Sequence, residues 1–407
     1  MKHYFSKLFS KLQEIWQYIR NYCKRHKRTI IKITAVILLL TILKIVTLSW
    51  RSREFGSFDK EKSDILRRRE WLLSKVATSP REVIDAMPAS LGSQYQGEWA
   101  LYSCSMTAAS LVNISKLYSE TQAENIRHIE RLINIVTSPE IREYDRLRWG
   151  EDPLMTLDGE YSHISYLSHL AWMICGYKTI GGGEKYDALL SNLCEAMNRR
   201  IIASDALNLP TYPGEPIYIP DMLVAIVALK QYGDLYNGEY HTTVAKWLES
   251  AKSDWIDANT GLLVSFLDDS GEKFPYAPIK GSYSALSCYY LTLVDKSFAR
   301  QQYLQLKQLF WKKGAVKGLR EYWNKRYFLG LGMDVDAGPI MFGLSPSGTA
   351  FFTGAVTFFG DGEVRNGILR TAELAGTTVG FGGKRHYLLA NIALVGEAIL
   401  LAMRTNV

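Results

Sequence analysis

The chain has 407 residues, 47% of them apolar and 22% charged, which fits a globular protein and excludes a disordered or collagen-like one. Its formal charge of +7 sits at the N-terminus, where Lys2, Lys7, Lys11, Arg20, Lys24, Arg25, Lys27 and Arg28 face only Glu14. The rest is nearly balanced and carries no nucleic-acid-binding signature, so the charge reads as membrane-facing and nucleic acid is excluded as a partner.

Residues 1–28 form a basic amphipathic segment, with Phe5, Leu8, Phe9, Leu12, Ile15, Trp16 and Ile19 at helical spacing, suited to the cytoplasmic membrane surface. Residues 29–50 then supply a stretch long enough to cross a bilayer, with Lys32 and Lys44 near its ends and Trp50 at the far interface. No small-residue cleavage site follows, which favours an uncleaved single-pass anchor over a signal peptide. The flanking charges place the N-terminus in the cytoplasm and the main domain in the periplasm or outside, across a bacterial inner membrane.

After a linker at 51–59, residues 60–407 read as helical almost throughout. A helix over 62–76 has no partner before it. Pairs follow at 99–118 and 122–136, 161–177 and 185–202, 220–232 and 240–255, 282–294 and 298–311, and 347–359 and 364–375. A last helix at 384–403 has no partner after it. The pairs start roughly every 60 residues, the signature of a repeat architecture, and the two unpaired terminal helices complete a sixth hairpin. The expected fold is all-α, a closed (α/α)6 toroid preceded by one transmembrane helix. First-member helices such as SYSALSCYYLTLV and PSGTAFFTGAVTFF carry no charge and belong inside the ring. Cys104, Cys175, Cys194 and Cys288 fall in apolar helical patterns and read as buried free thiols, with a Cys175–Cys194 bridge the oxidised alternative outside the cytoplasm. Cys23 lies before the anchor.

The loops that enter the inner helices bring acids, aromatics and bases to one mouth. The catalytic candidates are Asp158, Glu160, Tyr161, His163, Glu215 and Asp221. Substrate-binding candidates are Glu98, Trp99, Tyr218, Tyr276, Tyr283, Asp334, Asp336, Arg385 and His386. Acids at helix N-termini are also ordinary caps, so it is their recurrence in nearly every such loop that suggests a site. Paired carboxylates in unequal environments suit general acid and base work, and glycoside cleavage needs such a pair. Tyr161 or His163 could transfer a proton instead. No HExxH, GxSxG or phosphate loop occurs; the DVD at 334–336 is only a fragment of a calcium loop, and no metal or cofactor is expected.

The ring resembles the (α/α)6 toroids, which include six-hairpin glycosidases and polysaccharide lyases. More narrowly, DGEYSHISYLSHLAWMICGY with the KYD at Lys185, and YPGEPIYIPDMLVA, resemble the linalool dehydratase/isomerase-like family. That resemblance would cover roughly residues 97–403 and implies Glu215 in the pocket with Tyr161 and His163 near it. The chain departs where the family has a cysteine, since Gly214 stands there. Three readings stay open: an envelope enzyme acting on a glycan or other small-molecule substrate, a dehydratase/isomerase-like enzyme on a small hydrophobic alcohol, and a tethered binding module. Oligomeric state is not legible.

Overall fold

The computed structural model describes residues 11, 13–18, 20–21, 24–88, 92–274, 277–324, 331–334 and 337–407. It divides into two units, Met1–Glu54 and Phe55–Val407. In the first, helix α1 (Lys27–Arg51) is long and apolar enough to cross a membrane and is solvent-exposed over its apolar stretch. Phe5, Leu8, Phe9, Leu12, Ile19 and Cys23 lie outside the described residues.

The second unit holds helices α2 (Phe58–Val76), α3 (Pro80–Asp85), α4 (Ser93–Leu117), α5 (Gln122–Val136), α6 (Pro139–Trp149), α7 (Ile164–Thr179), α8 (Asp187–Ala203) and α9 (Ile219–Leu235). They continue with α10 (His241–Ser253), α11 (Gly281–Thr292), α12 (Lys296–Phe310), α13 (Pro346–Phe358), α14 (Gly362–Gly376) and α15 (Leu394–Arg404). Helices α4, α7, α9, α11, α13 and α15 each touch the next, and α15 touches α4, which closes an inner ring of six. Helices α2, α5, α8, α10, α12 and α14 pack against it from outside. The architecture is therefore the expected (α/α)6 toroid.

Burial follows composition. Helices α7, α9 and α11 are predominantly apolar and buried along most of their length, as inner helices must be. Small residues let them approach: a Cβ on Gly354 of α13 would meet Tyr289 of α11 and the Met403 sulfur of α15 at 2.6 Å. Cys104, Cys175, Cys194 and Cys288 are buried and free.

The ring is locked where its ends meet by a buried ion network. Arg404 of α15 binds Glu61 at 2.6 Å and Asp64 at 2.8 Å, both on α2. Arg68 of α2 binds Asp64 at 2.9 Å and Glu397 of α15 at 2.6 Å, while Arg365 of α14 also grips Glu61. The order of these pairs makes α2 and α15 antiparallel.

Short antiparallel strand pairs line the connections into the inner helices: β1 (Ile217–Tyr218) pairs with β2 (Phe266–Leu267) across two successive connections, while β5 (Leu331–Asp334) with β6 (Gly338–Met341) and β7 (Thr378–Phe381) with β8 (Lys384–Tyr387) form hairpins. A further pair, β3 (Trp311–Lys312) and β4 (Gly318–Leu319), follows α12. The expected helix at 384–403 begins only at Leu394. Gly382 and Gly383 adopt φ of +55° and +81°, which turns the chain into a hairpin and places Arg385 and His386 on a strand. The sequence reading also omitted α6. Ser138 caps it, Pro139 opens it, and Gly150 ends it in the left-handed conformation, all standard helix boundary signals.

Candidate active site

Aromatic side chains meet across the ring axis. The hydroxyl of Tyr102 on α4 lies 3.4 Å from that of Tyr290 on α11, the inner helix opposite. Trp172 of α7 packs edge-on against Tyr290 at 5.6 Å, and His169 of α7 lies 4.7 Å from Tyr102. His169 is buried, touches the Ser105 hydroxyl at 2.9 Å, and is pushed down to about 3 by burial, so it is a neutral part of this floor.

Glu98 sits one helical turn before Tyr102 on the same face of α4, toward the mouth. Burial, and then the charge of Asp221, raise its carboxyl to about 7. A hydrogen bond from Tyr212 and the charge of Arg148 act against this, and the charge of Glu215 acts with it. Asp221 lies in the first turn of α9 and accepts a bond from the Thr211 hydroxyl at 2.8 Å. Its charge also acts on Tyr102 and Tyr290, which sets it beside the floor. Arg148, near the end of α6, donates to Glu215 at 2.8 Å and stacks 4.2 Å over the Tyr212 ring. The Tyr212 hydroxyl lies 3.5 Å from Ser165 of α7, which lies 3.4 Å from Tyr144 of α6. Glu215 and Glu98 both act on the Arg148 guanidinium.

The other candidates are placed around this group. Tyr218, Tyr283 and Phe266 form a half-buried aromatic triangle with ring centroids 5.2–5.9 Å apart, and Lys280 lies 5.1 Å over Tyr283. Trp99 is half-buried against the core. His163 starts α7 in the left-handed conformation, φ +48°, fully buried between Asp145 at 2.5 Å and Glu151 at 3.3 Å. Burial pushes the Asp145 carboxyl up, and His163 opposes that. Tyr161 is 52% exposed and rests on Trp149. Asp158 and Glu160 are exposed, on a loop whose carbonyls Arg199 and Arg200 bind at 2.8–3.2 Å. Arg385 pairs with Asp64 at 3.4 Å, and His386 stacks on Trp71 at 4.1 Å. Asp334 lies on β5, while its side chain, Tyr276 and Asp336 fall outside the described residues.

The geometry therefore joins Glu98, Asp221 and Glu215, and it sets Asp158 and Glu160 at the surface and Arg385 and His386 against α2. Sequence reasoning missed Arg148, because α6 was missed, and passed over Tyr212 as the start of a loop. Among the described residues no group of three acids, histidines or cysteines is arranged to hold a metal ion.

No family model and no curated protein matches the chain. Among solved structures it is similar to an unsaturated glucuronyl hydrolase specific for heparin, at 14% identity and a TM-score of 0.49, over 75% of this chain and 85% of that one. The assignment of the ring rests on the helix contacts given above.

Proposed function

We propose that the mouth group is the active site of a membrane-anchored envelope enzyme that cleaves a glycan by carboxylate acid and base catalysis. The observation that carries this reading is the unequal pair Glu98 and Asp221. Burial, and then the charge of Asp221, raise the Glu98 carboxyl to about 7, which suits one member of such a pair to act as an acid at neutral pH, with the second carboxyl as its partner. Glu98 gives its proton to the leaving glycosidic oxygen, and Asp221 takes a proton from the attacking water. Arg148 holds Glu215 and Tyr212 in place around them. The aromatic group Tyr218, Phe266 and Tyr283 supplies an apolar platform of the kind a sugar ring needs. The helix Lys27–Arg51 serves as the anchor, with the N-terminus in the cytoplasm and the ring outside.

A hydro-lyase on a small hydrophobic alcohol, in the manner of the linalool dehydratase/isomerase-like family, would need a reactive thiol. Burial raises all four described cysteines, Cys104 to about 12, which keeps them neutral and unreactive.

Glu98→Gln and Asp221→Asn should each lower turnover on a panel of oligosaccharides by about 10²–10⁴ without unfolding the protein. Wild-type turnover by the Glu98→Gln enzyme would remove Glu98 from the mechanism.

A further inference from the structure

Large exposed apolar side chains cluster on one edge of the mouth. On β5–β6 and the turn after it, Met333 is 77% and Phe342 56% exposed. On β7–β8 and the following turn, Phe381 is 94%, Leu389 52% and Ile392 70% exposed, with exposed Lys384 among them. Single exposed apolar residues are ordinary, but these sit on two hairpins that lead into adjacent inner helices, α13 and α15. Apolar tips with a lysine beside them suit the boundary between lipid headgroups and acyl chains.

The chain itself indicates what covers them. Six residues, 52–57, join the apolar helix α1 to Phe58 at the start of α2, a reach of about 20 Å. Helix α2 then runs about 28 Å to the mouth, where β8 packs on it and His386 stacks on Trp71. Of the two apolar hairpins, β7–β8 therefore lies against the helix through which the chain enters the ring. When α2 lies along the bilayer surface, that edge reaches lipid.

We propose that this apolar edge seats in the bilayer interface, so that the site receives a substrate that is itself attached to the membrane. This rests on the anchored acid/base enzyme read above, and its first test is independent of catalysis. The full chain, with Cys23→Ser, is reconstituted in phosphatidylethanolamine/phosphatidylglycerol vesicles containing doxyl-labelled lipid. A polarity-sensitive fluorophore is attached at Phe381→Cys, at Ile392→Cys or, as a control, at Leu304→Cys on the outer helix α12, where Leu304 is 50% exposed. Blue-shifted emission quenched by the doxyl lipid at positions 381 and 392, and not at 304, is expected. Aqueous emission at 381 and 392 overturns the proposal, as does shielded emission that lipid does not quench, which would assign the edge to a protein partner. In a second test, Phe381→Asp with Leu389→Asp should lower turnover of a membrane-attached glycan by about tenfold or more while sparing its detached, water-soluble fragment. Equal losses on both substrates overturn it. A failed Glu98→Gln result leaves the quenching result standing, and the reverse also holds.

Discussion

Two groups of buried charge in this ring behave in opposite ways. Where the ends of the ring meet, Glu61, Asp64 and Glu397 face Arg68, Arg365 and Arg404. Burial alone would raise the Glu61 carboxyl, but Arg404 and Arg365 outweigh it and hold that carboxyl below its ordinary value. At the mouth, Arg148 pairs with Glu215 and its charge also acts on Glu98, but burial wins at Glu98. The same residue types give a clasp where arginine charges outweigh burial and a raised acid where burial prevails. Matched ions hold the fold closed, and the unmatched acid stores free energy that folding has to supply from elsewhere.

The comparison breaks most sharply at Arg404. Arg404→Met strands Glu61 and Asp64 without their shared partner and should destabilise the ring by about 3–5 kcal/mol, read as a lowered midpoint in chemical denaturation. A loss below 1 kcal/mol would mean that water or the neighbouring arginines already satisfy these acids. The pH dependence has a definite sign. Because the Glu61 carboxyl is lowered in the folded state, its contribution is present above its ordinary value near 4.5 and is lost as pH falls below that. Acid should therefore loosen the ends of the ring before the rest.

At Glu98 the sign reverses. A carboxyl raised to about 7 in the fold binds its proton more tightly there than in the unfolded chain. Its contribution is fully present below about 4.5 and declines as pH rises through 7. Glu98→Gln should accordingly stabilise the protein by about 1–3 kcal/mol at pH 8 and have almost no effect at pH 4, while lowering turnover as above. Equal stability changes at both pH values would show that Glu98 titrates normally, and the contrast between the two groups would fail.

How much of this contrast was legible in the sequence differs between the groups. The hairpin periodicity and the uncharged inner helices specify the ring, because burial on every side leaves a strong compositional mark. Glu215 stood out in the loop before α9, and Asp221 as the one charge in the PDMLVAIVAL stretch that opens it. Glu98 stood out as an acid at the mouth, but its perturbation comes from burial in the assembled ring and then from Asp221, 123 positions away, neither of which a local pattern encodes. Arg404 and Arg68 read as ordinary charged helix residues; only the meeting of α2 with α15 makes them partners. His163 was conspicuous for the opposite reason. A histidine in a dense polar run attracts a catalytic reading, whereas the structure buries it between Asp145 and Glu151 at a strained helix start.

The finest division within the mouth concerns Tyr212. Its hydroxyl donates to Glu98 and its ring carries Arg148, so it favours the ionised form of an acid that burial otherwise keeps protonated. Tyr212→Phe keeps the stacking surface and removes only the donor. The midpoint of the Glu98 limb in the pH–rate profile should then rise by about half a unit to one unit, with a small change in the maximal rate. The shift must be upward, because the lost bond is one made to the charged form. An unmoved midpoint with a reduced rate would assign Tyr212 to holding Arg148 and Glu215, and would leave burial and Asp221 to set the acidity of Glu98 unaided.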